Sequence, residues 1–284
     1  MKTYNDIYLS IRNILRQKGI ENAGFEAKYL LACAAEKNLS QFLRDIRLYT
    51  TEEIENRAME YVSRRIKGEP LAYITNSWEF YGLPMYINQD VLIPRIDTEI
   101  IVDAAIELLT GNKMDARVLD LCCGSGCIAC AVGHEMPATR LVAVDISPEA
   151  LDVCRTNIRK NNLSSRAICM QADACAAPPL AIGSFDMIIS NPPYITSGEI
   201  SELDSSVRDY EPLIALDGGE DGLEFYRQII KHWRVLLNPG GYILFEVGEG
   251  QAEAVCEMLR NSGFSSVGTR RDTIGVDRVV IGRI

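Results

Sequence analysis

The chain has 284 residues, 47% of them hydrophobic and 24% charged, which fits a globular protein with one large domain or a catalytic domain and a smaller one. Its net charge of −10 and the lack of a block rich in Lys or Arg argue against a nucleic-acid-binding footprint, so we expect no direct nucleic-acid binding. Nine cysteines without a disulfide-framework spacing, and no apolar run of membrane-spanning length, predict free thiols, a cytoplasmic location and no membrane partner.

The first part of the chain, from about residue 5 to 67, is predicted to be helical. Thr50 or Thr51 before two glutamates predicts a helix start, and Gly68 and Pro70 predict the end of the last helix. Periodicity leaves open whether this bundle is a scaffold or docks a partner. Apolar residues follow helical spacing in three runs: Ile7, Ile11, Ile14, Leu15; Phe25, Tyr29, Leu30, Ala34; and Ile54, Ala58, Tyr61, Val62, Ile66.

A connector over residues 76–97 follows the helical part. Alternation from Phe80 to Ile87 around a Gly-Leu-Pro sequence predicts a β-hairpin with its turn at those three residues. Thr98 is then predicted to cap a helix that runs through Leu109.

From about Ala116 the pattern alternates between strands and helices. This alternation predicts an α/β, Rossmann-like fold, in which a parallel sheet carries helices on both faces. The predicted strands are 118–121, 141–145, 167–170, 187–189 and 242–247, with two more near Ser266 and Val279, and the predicted helices start near Ser125, at Ser147-Pro148, near Leu223 and near Gln251.

The turn after the first of these strands, Asp120–Gly126, carries the first ligand-binding signal. Gly124 and Gly126 allow close approach of a ligand to the backbone, and the following helix offers free N–H groups. Asp145 ends the next strand at about the 20-residue spacing at which an acidic residue accepts both hydroxyls of a ribose. The pattern therefore predicts a nucleoside ligand.

The identity of the nucleoside follows from the charge of this turn. A carboxylate at Asp120 repels a pyrophosphate but suits an ammonium group, which favours S-adenosylmethionine as the cofactor. Asp173 follows the third strand, where its carboxylate either accepts the adenine amino group or is simply solvated; the sequence leaves both open.

The sequence Asn191-Pro192-Pro193-Tyr194 follows the fourth strand, where open α/β sheets bind their ligands. Two prolines fix the backbone and remove two N–H donors, so the turn presents acceptors, the Asn191 side-chain oxygen and the Pro192 carbonyl, beside the flat Tyr194 ring. Two fixed acceptors can hold both N–H bonds of a planar NH2 group and stabilise the positive charge that develops on its nitrogen. A rigid loop without chemistry is the alternative.

These stretches resemble the motifs of class I S-adenosylmethionine methyltransferases, and a fuller set resembles the peptide chain release factor N5-glutamine methyltransferases, the HemK/PrmC family. The fuller set adds Gly68-Glu69-Pro70 with Tyr73, Leu92–Arg95 with Thr98-Glu99, Glu211-Pro212 with Ala215-Leu216, Gly219–Leu223 and Asp277–Val280.

The resemblance implies a helical release-factor-docking domain over 1–75, a β-hairpin connector over 76–97 and a catalytic domain over 98–284. It also implies methylation of the glutamine in the Gly-Gly-Gln loop of release factors. The implied cofactor residues are Asp120, Cys122, Cys123, Gly124, Ser125, Gly126, Asp145, Asp173, Ala174 and Asn191, and the implied catalytic residues are Asn191, Pro192, Pro193 and Tyr194. Cys122 replaces the first glycine of the family turn, and Ala174 replaces a larger side chain, which puts backbone approach and adenine contact at these two positions in question.

Other residues and functions stay open. Cys127 and Cys130 form a C-x2-C pair on a predicted helix, but we expect buried thiols and no metal site. Arg95 and Glu99 form a structural pair or line the cofactor pocket, and Glu246 is either catalytic or structural. The competing functions are glutamine methylation of a ribosomal protein, N6-adenine methylation of DNA, and nucleoside binding without catalysis.

Overall fold

A computed structural model describes residues 1–284, except for the side chain of Asn112. The chain divides into two compact units, Met1–Asn76 and Ser77–Ile284, so residues 77–97 belong to the second unit. The helices of the first unit are α1 (Tyr4–Gln17), α2 (Ala23–Ala34), α3 (Leu39–Asp45), α4 (Glu52–Arg65) and α5 (Leu71–Thr75).

Side-chain caps fix where helices of the first unit begin. Thr3, Asn38 and Thr51 each accept a hydrogen bond from the backbone N–H three residues further on, which satisfies a donor that the helix itself cannot pair. The core of this unit is mostly aliphatic, with Ile11, Leu15, Leu30 and Leu31 fully buried, and it also contains Phe42.

Phe25 lies outside this core although it follows helical spacing. Its side chain is 55% exposed and stacks on Tyr29, with ring centroids 5.8 Å apart. The first unit therefore presents an aromatic pair on its outer surface.

The second unit contains the remaining helices and all the strands. Its elements are β1 (Trp78–Phe80), β2 (Leu83–Met85), α6 (Glu99–Asn112), β3 (Arg117–Leu121), α7 (Cys127–Glu135), β4 (Arg140–Asp145), α8 (Pro148–Lys160), β5 (Ala167–Gln171), β6 (Phe185–Ser190), α9 (Ser205–Arg208), α10 (Glu224–Trp233), β7 (Leu237–Glu246), α11 (Ala252–Asn261), β8 (Ser266–Arg271) and β9 (Asp277–Arg283). In the described part of the chain, no helix is long and apolar enough to cross a membrane.

The predicted β-hairpin forms, but the predicted turn is wrong. Tyr81 and Gly82 make the turn with φ angles of 53° and 70°, the left-handed pair that a two-residue hairpin loop requires. Leu83 and Pro84 lie in β2 instead, paired with Phe80 and Glu79.

The main sheet has seven strands in the order β5-β4-β3-β6-β7-β9-β8. The five strands from β5 to β7 are parallel, as predicted, whereas β9 and β8 add an antiparallel edge. The strand order reverses between β3 and β6, the position where such sheets bind ligands. There the Ser190 hydroxyl donates to the Leu121 carbonyl over 2.6 Å, which ties the ends of the two strands together.

Candidate active site

A cavity of about 260 Å³ lies at the carboxyl edge of the parallel strands. Four turns that follow consecutive strands form much of its wall, which is the placement that a nucleoside site in this fold requires. They contribute Cys122–Ser125 after β3, Asp145–Ser147 after β4, Ala172–Cys175 after β5, and Asn191 and Pro193 after β6.

The two glycines of the β3–α7 turn have different roles. Gly124 has φ +49°, and a Cβ there would find no atom within 4 Å, so this backbone is open to a ligand. A Cβ on Gly126 would instead collide with Cys154 Sγ on α8. The space on the Cβ side of Gly126 is taken by α8, so its missing side chain serves helix packing, and the predicted approach of a ligand at Gly126 stays a prediction.

Cys122 adopts a backbone conformation that ordinarily favours glycine. Its φ is +61°, in the left-handed region that costs a residue with a side chain on the order of 1–3 kcal/mol. Its side chain borders the cavity and packs against the core of the sheet. Cysteine at this position therefore adds a thiol to the cavity wall, at a backbone conformation that glycine adopts more readily.

Asp145 is half-buried and borders the cavity. Its two carboxylate oxygens accept hydrogen bonds from the Gly124 N–H, at 2.8 Å, and the Ser147 N–H, at 3.0 Å. Burial raises the pKa of Asp145, and the backbone donors oppose that rise. Each oxygen retains a second lone pair, which suits a ribose hydroxyl.

Asp120 is 1% exposed and, among the described side chains, is not one that lines the cavity. One oxygen accepts a hydrogen bond from the Ala129 N–H at 3.0 Å, and the other has no partner among the described residues. Burial raises the pKa of Asp120 to about 7, which the Ala129 N–H opposes and Asp145 reinforces. The predicted contact of Asp120 with an ammonium group stays a prediction.

The turn after β5 brings Asp173 and Ala174 to the wall. Asp173 is exposed and accepts a hydrogen bond from the Cys175 N–H at 2.8 Å, so both its predicted roles remain open. Ala174 is 5% exposed, and its carbonyl accepts the Trp233 indole N–H at 3.0 Å. The large ring of α10 thus anchors the backbone at this small residue.

The charge of the cavity selects its ligand. Asp90, Asp145 and Asp173 line it, whereas none of the lining side chains that the structure describes is Lys, Arg or His. Such a wall disfavours phosphates and suits a ligand with positive charge. S-adenosylmethionine, with a sulfonium and an ammonium group, fits this wall and the open backbone at Gly124.

The sequence from Asn191 to Tyr194 directly follows β6. Both prolines are buried, whereas Asn191 and Tyr194 are half-buried. Asn191 Nδ2 donates to Thr98 Oγ1 at 3.3 Å, and Thr98 also borders the cavity. With its NH2 directed to Thr98, the Asn191 amide keeps its oxygen as an acceptor for a ligand.

The contacts that hold the backbone of this turn in place were not predicted from the sequence. A Cβ on Gly218 would lie 2.7 Å from Tyr194 Cα and 2.8 Å from the Pro193 carbonyl oxygen, so the segment can pack there only without a side chain. Gln251 Nε2 donates to the Tyr194 carbonyl at 2.8 Å. The Gly-rich sequence near residue 220 was part of the family resemblance, but nothing in it indicated which backbone it packs against.

The structural pair between Arg95 and Glu99, one of the two hypotheses for these residues, does not form. Arg95 pairs with buried Glu211 at 2.5 Å, and Glu211 also accepts the Ile93 N–H at 3.3 Å. Glu99 accepts the Tyr81 N–H at 2.8 Å instead. The Arg95–Glu211 pair joins the segment before α6 to the segment before α10, and side chains from both segments line the cavity: Val91, Leu92, Pro94, Ile214 and Ala215.

Comparisons with known proteins agree with this geometry. The PrmC N-terminal domain family matches residues 6–75, and the Methyltransferase small domain family matches residues 98–204. A release factor glutamine methyltransferase of Geobacter sulfurreducens is 40% identical over 274 residues, 96% of this chain and 94% of the relative. One of Clostridium acetobutylicum is 38% identical over 277 residues, 97% and 96% of the two chains. The chain belongs to the release factor glutamine methyltransferase family.

Membership of this family makes the chain an S-adenosylmethionine-dependent methyltransferase, with that compound as the methyl donor. A solved methyltransferase from Pyrococcus furiosus shares the fold, with a TM-score of 0.51 and 18% identity over 78% of this chain and 96% of that chain.

We expect Asp145→Ala to weaken binding of S-adenosylmethionine by about 10- to 100-fold, because hydrogen bonds to a charged acceptor are worth about 1.5–3 kcal/mol. Asp152→Ala, on the exposed face of α8, is the matched control and should bind the donor as the wild type does. Calorimetry measures both. Unchanged affinity of Asp145→Ala would remove the ribose role.

We expect Gly218→Ala to lower kcat by about 10²-fold, the scale of a 1 Å displacement of catalytic groups, because the new methyl group pushes against the Pro193–Tyr194 backbone. Donor affinity should stay within a few fold. Gly198→Ala is the control, because a Cβ there meets no atom within 4 Å. Wild-type turnover by Gly218→Ala would show that this packing does not fix the turn.

Proposed function

We propose that this protein transfers the methyl group of S-adenosylmethionine to the side-chain N5 nitrogen of the glutamine in the Gly-Gly-Gln loop of peptide chain release factors, and so modulates translation termination in the cytoplasm. The observation that carries this proposal is the Asn191 amide, which is hydrogen-bonded to Thr98 at the wall of the cavity. None of the described side chains that line this cavity is Lys, Arg or His. The names of the relatives support the release factor as the substrate.

The chemistry starts from a poor nucleophile. The lone pair of an amide NH2 is delocalised into its carbonyl group, so the nitrogen must be held and its lone pair localised. In this proposal the Asn191 side-chain oxygen and the Pro192 carbonyl accept the two N–H bonds, and the Tyr194 ring forms a wall beside the amide. The bound donor supplies an electrophilic methyl group on its sulfonium.

The same acceptors stabilise the transition state. Positive charge develops on the substrate nitrogen as the new C–N bond forms, and two fixed carbonyl dipoles favour that charge. The proton becomes acidic only as the charge develops, so it leaves late. The step therefore calls for fixed acceptors rather than for a strong base.

Two rival functions differ in the substrate. Glutamine on a ribosomal protein poses the same chemical problem, and so does the NH2 group of adenine in DNA. Methyl-labelled S-adenosylmethionine offered with release factor, ribosomal protein or DNA separates them, because only the true substrate gains label. Label on DNA, or on none of the three, would overturn the proposal.

We expect Asn191→Ala to lower kcat by about 10²–10³-fold, the scale for one lost transition-state hydrogen bond, with donor affinity within a few fold of wild type. Asn191→Asp is the informative companion, because it retains an acceptor and should retain more activity than the alanine variant. Steady-state kinetics with release factor measures both. Full turnover by Asn191→Ala would exclude the amide-holding mechanism.

We further propose that the helical unit, Met1–Asn76, docks the release factor. Every side chain that lines the cavity belongs to the second unit, among the residues that the structure describes. One glutamine side chain offers few contacts, so selection of a single loop calls for a second surface. Exposed Phe25, stacked on half-buried Tyr29, is the kind of aromatic surface that is enriched at protein interfaces.

We expect a shortened chain that begins at Ser77 to show a strongly raised KM for full-length release factor and little change in its rate on a short Gly-Gly-Gln peptide. Calorimetric binding of S-adenosylmethionine is the control that this chain is folded. If the shortened chain methylates the full factor with undiminished kcat/KM, the helical unit is only a scaffold.

A further inference from the structure

Glu246 is a buried carboxylate beside the catalytic turn. It ends β7, in which Phe245 is level with Ser190 of β6, so Glu246 is level with Asn191. Its side chain is 3% exposed, and its Oε2 has no hydrogen-bond partner among the described residues. A buried charge with one free oxygen is costly, which calls for a reason beyond packing.

Thr98 connects this carboxylate to Asn191. Thr98 is 2% exposed, and its hydroxyl oxygen accepts a hydrogen bond from Asn191 Nδ2 at 3.3 Å. The Glu246 carboxylate lies within hydrogen-bonding reach of both the Thr98 hydroxyl and the Asn191 amide, which lower its pKa. An ionised carboxylate can only accept, so both groups present donors to it.

We propose that Glu246 is a positioning residue: its carboxylate, together with the Thr98 hydroxyl, fixes the Asn191 amide so that the amide oxygen faces the substrate glutamine. This rests on the proposed function, because it concerns the orientation that holds a substrate NH2.

The argument depends on which way round the Asn191 amide lies. The two ends of an amide have nearly the same shape, so packing alone does not distinguish oxygen from NH2. In the inverted orientation the Asn191 NH2 would face the substrate NH2, donor against donor. An ionised carboxylate only accepts hydrogen bonds, so together with Thr98 it admits the NH2 end and rejects the oxygen end.

Protonation of Glu246 weakens this selection. A carboxylic acid, or the amide of a glutamine in its place, offers a proton of its own, and that proton can satisfy the oxygen end of Asn191. The inverted orientation then becomes accessible and the catalytic acceptor is lost. Activity should consequently follow the ionised fraction of Glu246.

The surroundings place this ionisation near neutral pH. Burial raises the pKa of Glu246 to about 7, and Asp97 raises it further, while Thr98, Arg278 and Asn191 lower it. The ionised form, and with it kcat, should increase as the pH rises through about 7. The other titratable groups whose charges couple to Glu246 are Tyr194 after β6, Tyr226 on α10 and Cys127 on α7.

Glu246 does not fit the alternative role of a base that takes the substrate proton. Among the described side chains that line the cavity, Thr98 and Asn191 are present and Glu246 is not. It can therefore act on a substrate only through Thr98 and Asn191, the two residues beside it that border the cavity. A change at Thr98 should then matter even when the carboxylate is intact, which separates positioning from proton removal.

The test uses the full-length enzyme and release factor, with kcat, KM and donor affinity measured from pH 6 to 9. We expect Glu246→Gln to lower kcat about 10- to 100-fold, with KM and donor affinity near wild type, and to lose the rise through about pH 7. Glu249→Gln, the same substitution at an exposed site three residues away, is the matched control and should behave as wild type.

Thr98 variants supply the second arm, which does not need Glu246→Gln to fold. Thr98→Val removes the hydroxyl at constant shape, so kcat should fall and the midpoint of the pH profile should rise. Thr98→Ser keeps the hydroxyl and should retain both. Wild-type kcat and midpoint in Thr98→Val, or wild-type kcat and pH profile in Glu246→Gln, would overturn the inference.

A ¹³C NMR titration of the glutamate carboxyls separates this inference from the proposed function, because it needs no turnover. The Glu246 signal, assigned by its absence in Glu246→Gln, should titrate near pH 7 and shift upward in Thr98→Val. If the wild type leaves release factor unmethylated, the proposed function fails, while this titration still decides the link. If the titration midpoint of Glu246 is the same in Thr98→Val as in the wild type, the inference is overturned.

Discussion

The site depends on how closely the backbone of Pro193 and Tyr194 is packed. On one side Gly218 lies so near that no side chain fits, and on another Gln251 donates to the Tyr194 carbonyl. The two prolines stiffen the turn from within, but a stiff turn still has to be held in place. This packing turns a short loop into a fixed set of acceptors, and preorganisation of this kind is what the proposed chemistry requires of the protein.

The reversal of strand order between β3 and β6 places the cavity and the Asn191–Tyr194 turn at the same edge of the sheet. The hydrogen bond from Ser190 to the Leu121 carbonyl aligns the two strand ends, and the cavity and the Asn191–Tyr194 turn begin directly beyond them. In the proposed function, this backbone pairing is what holds the methyl donor and its acceptor at a fixed distance. Side chains such as Asp145 and Asn191 then extend only a short distance from the rigid edge of the sheet to the cavity.

Residues at strand ends were predictable from the sequence, because a strand, its turn and its polar residue are neighbours in the chain. Asp145 and Asn191 are both found at the cavity for this reason. The contacts that hold them were not predictable in the same way. Asn191 is hydrogen-bonded to Thr98, from which it is 93 positions away in the sequence. Arg95 pairs with Glu211, 116 positions away, rather than with nearby Glu99. Only tertiary packing decides such partners, and local propensity carries no information on them.

The chemical reactivity of the thiols in the cavity wall depends on their burial. Cys122 and Cys127 border the cavity in which we propose that the methyl donor binds, and a thiolate there would be a far better nucleophile than any amide. Burial raises the pKa of both thiols above its ordinary value, which favours their protonated form. The burial of this wall therefore lowers the nucleophilicity of the thiols beside the proposed donor.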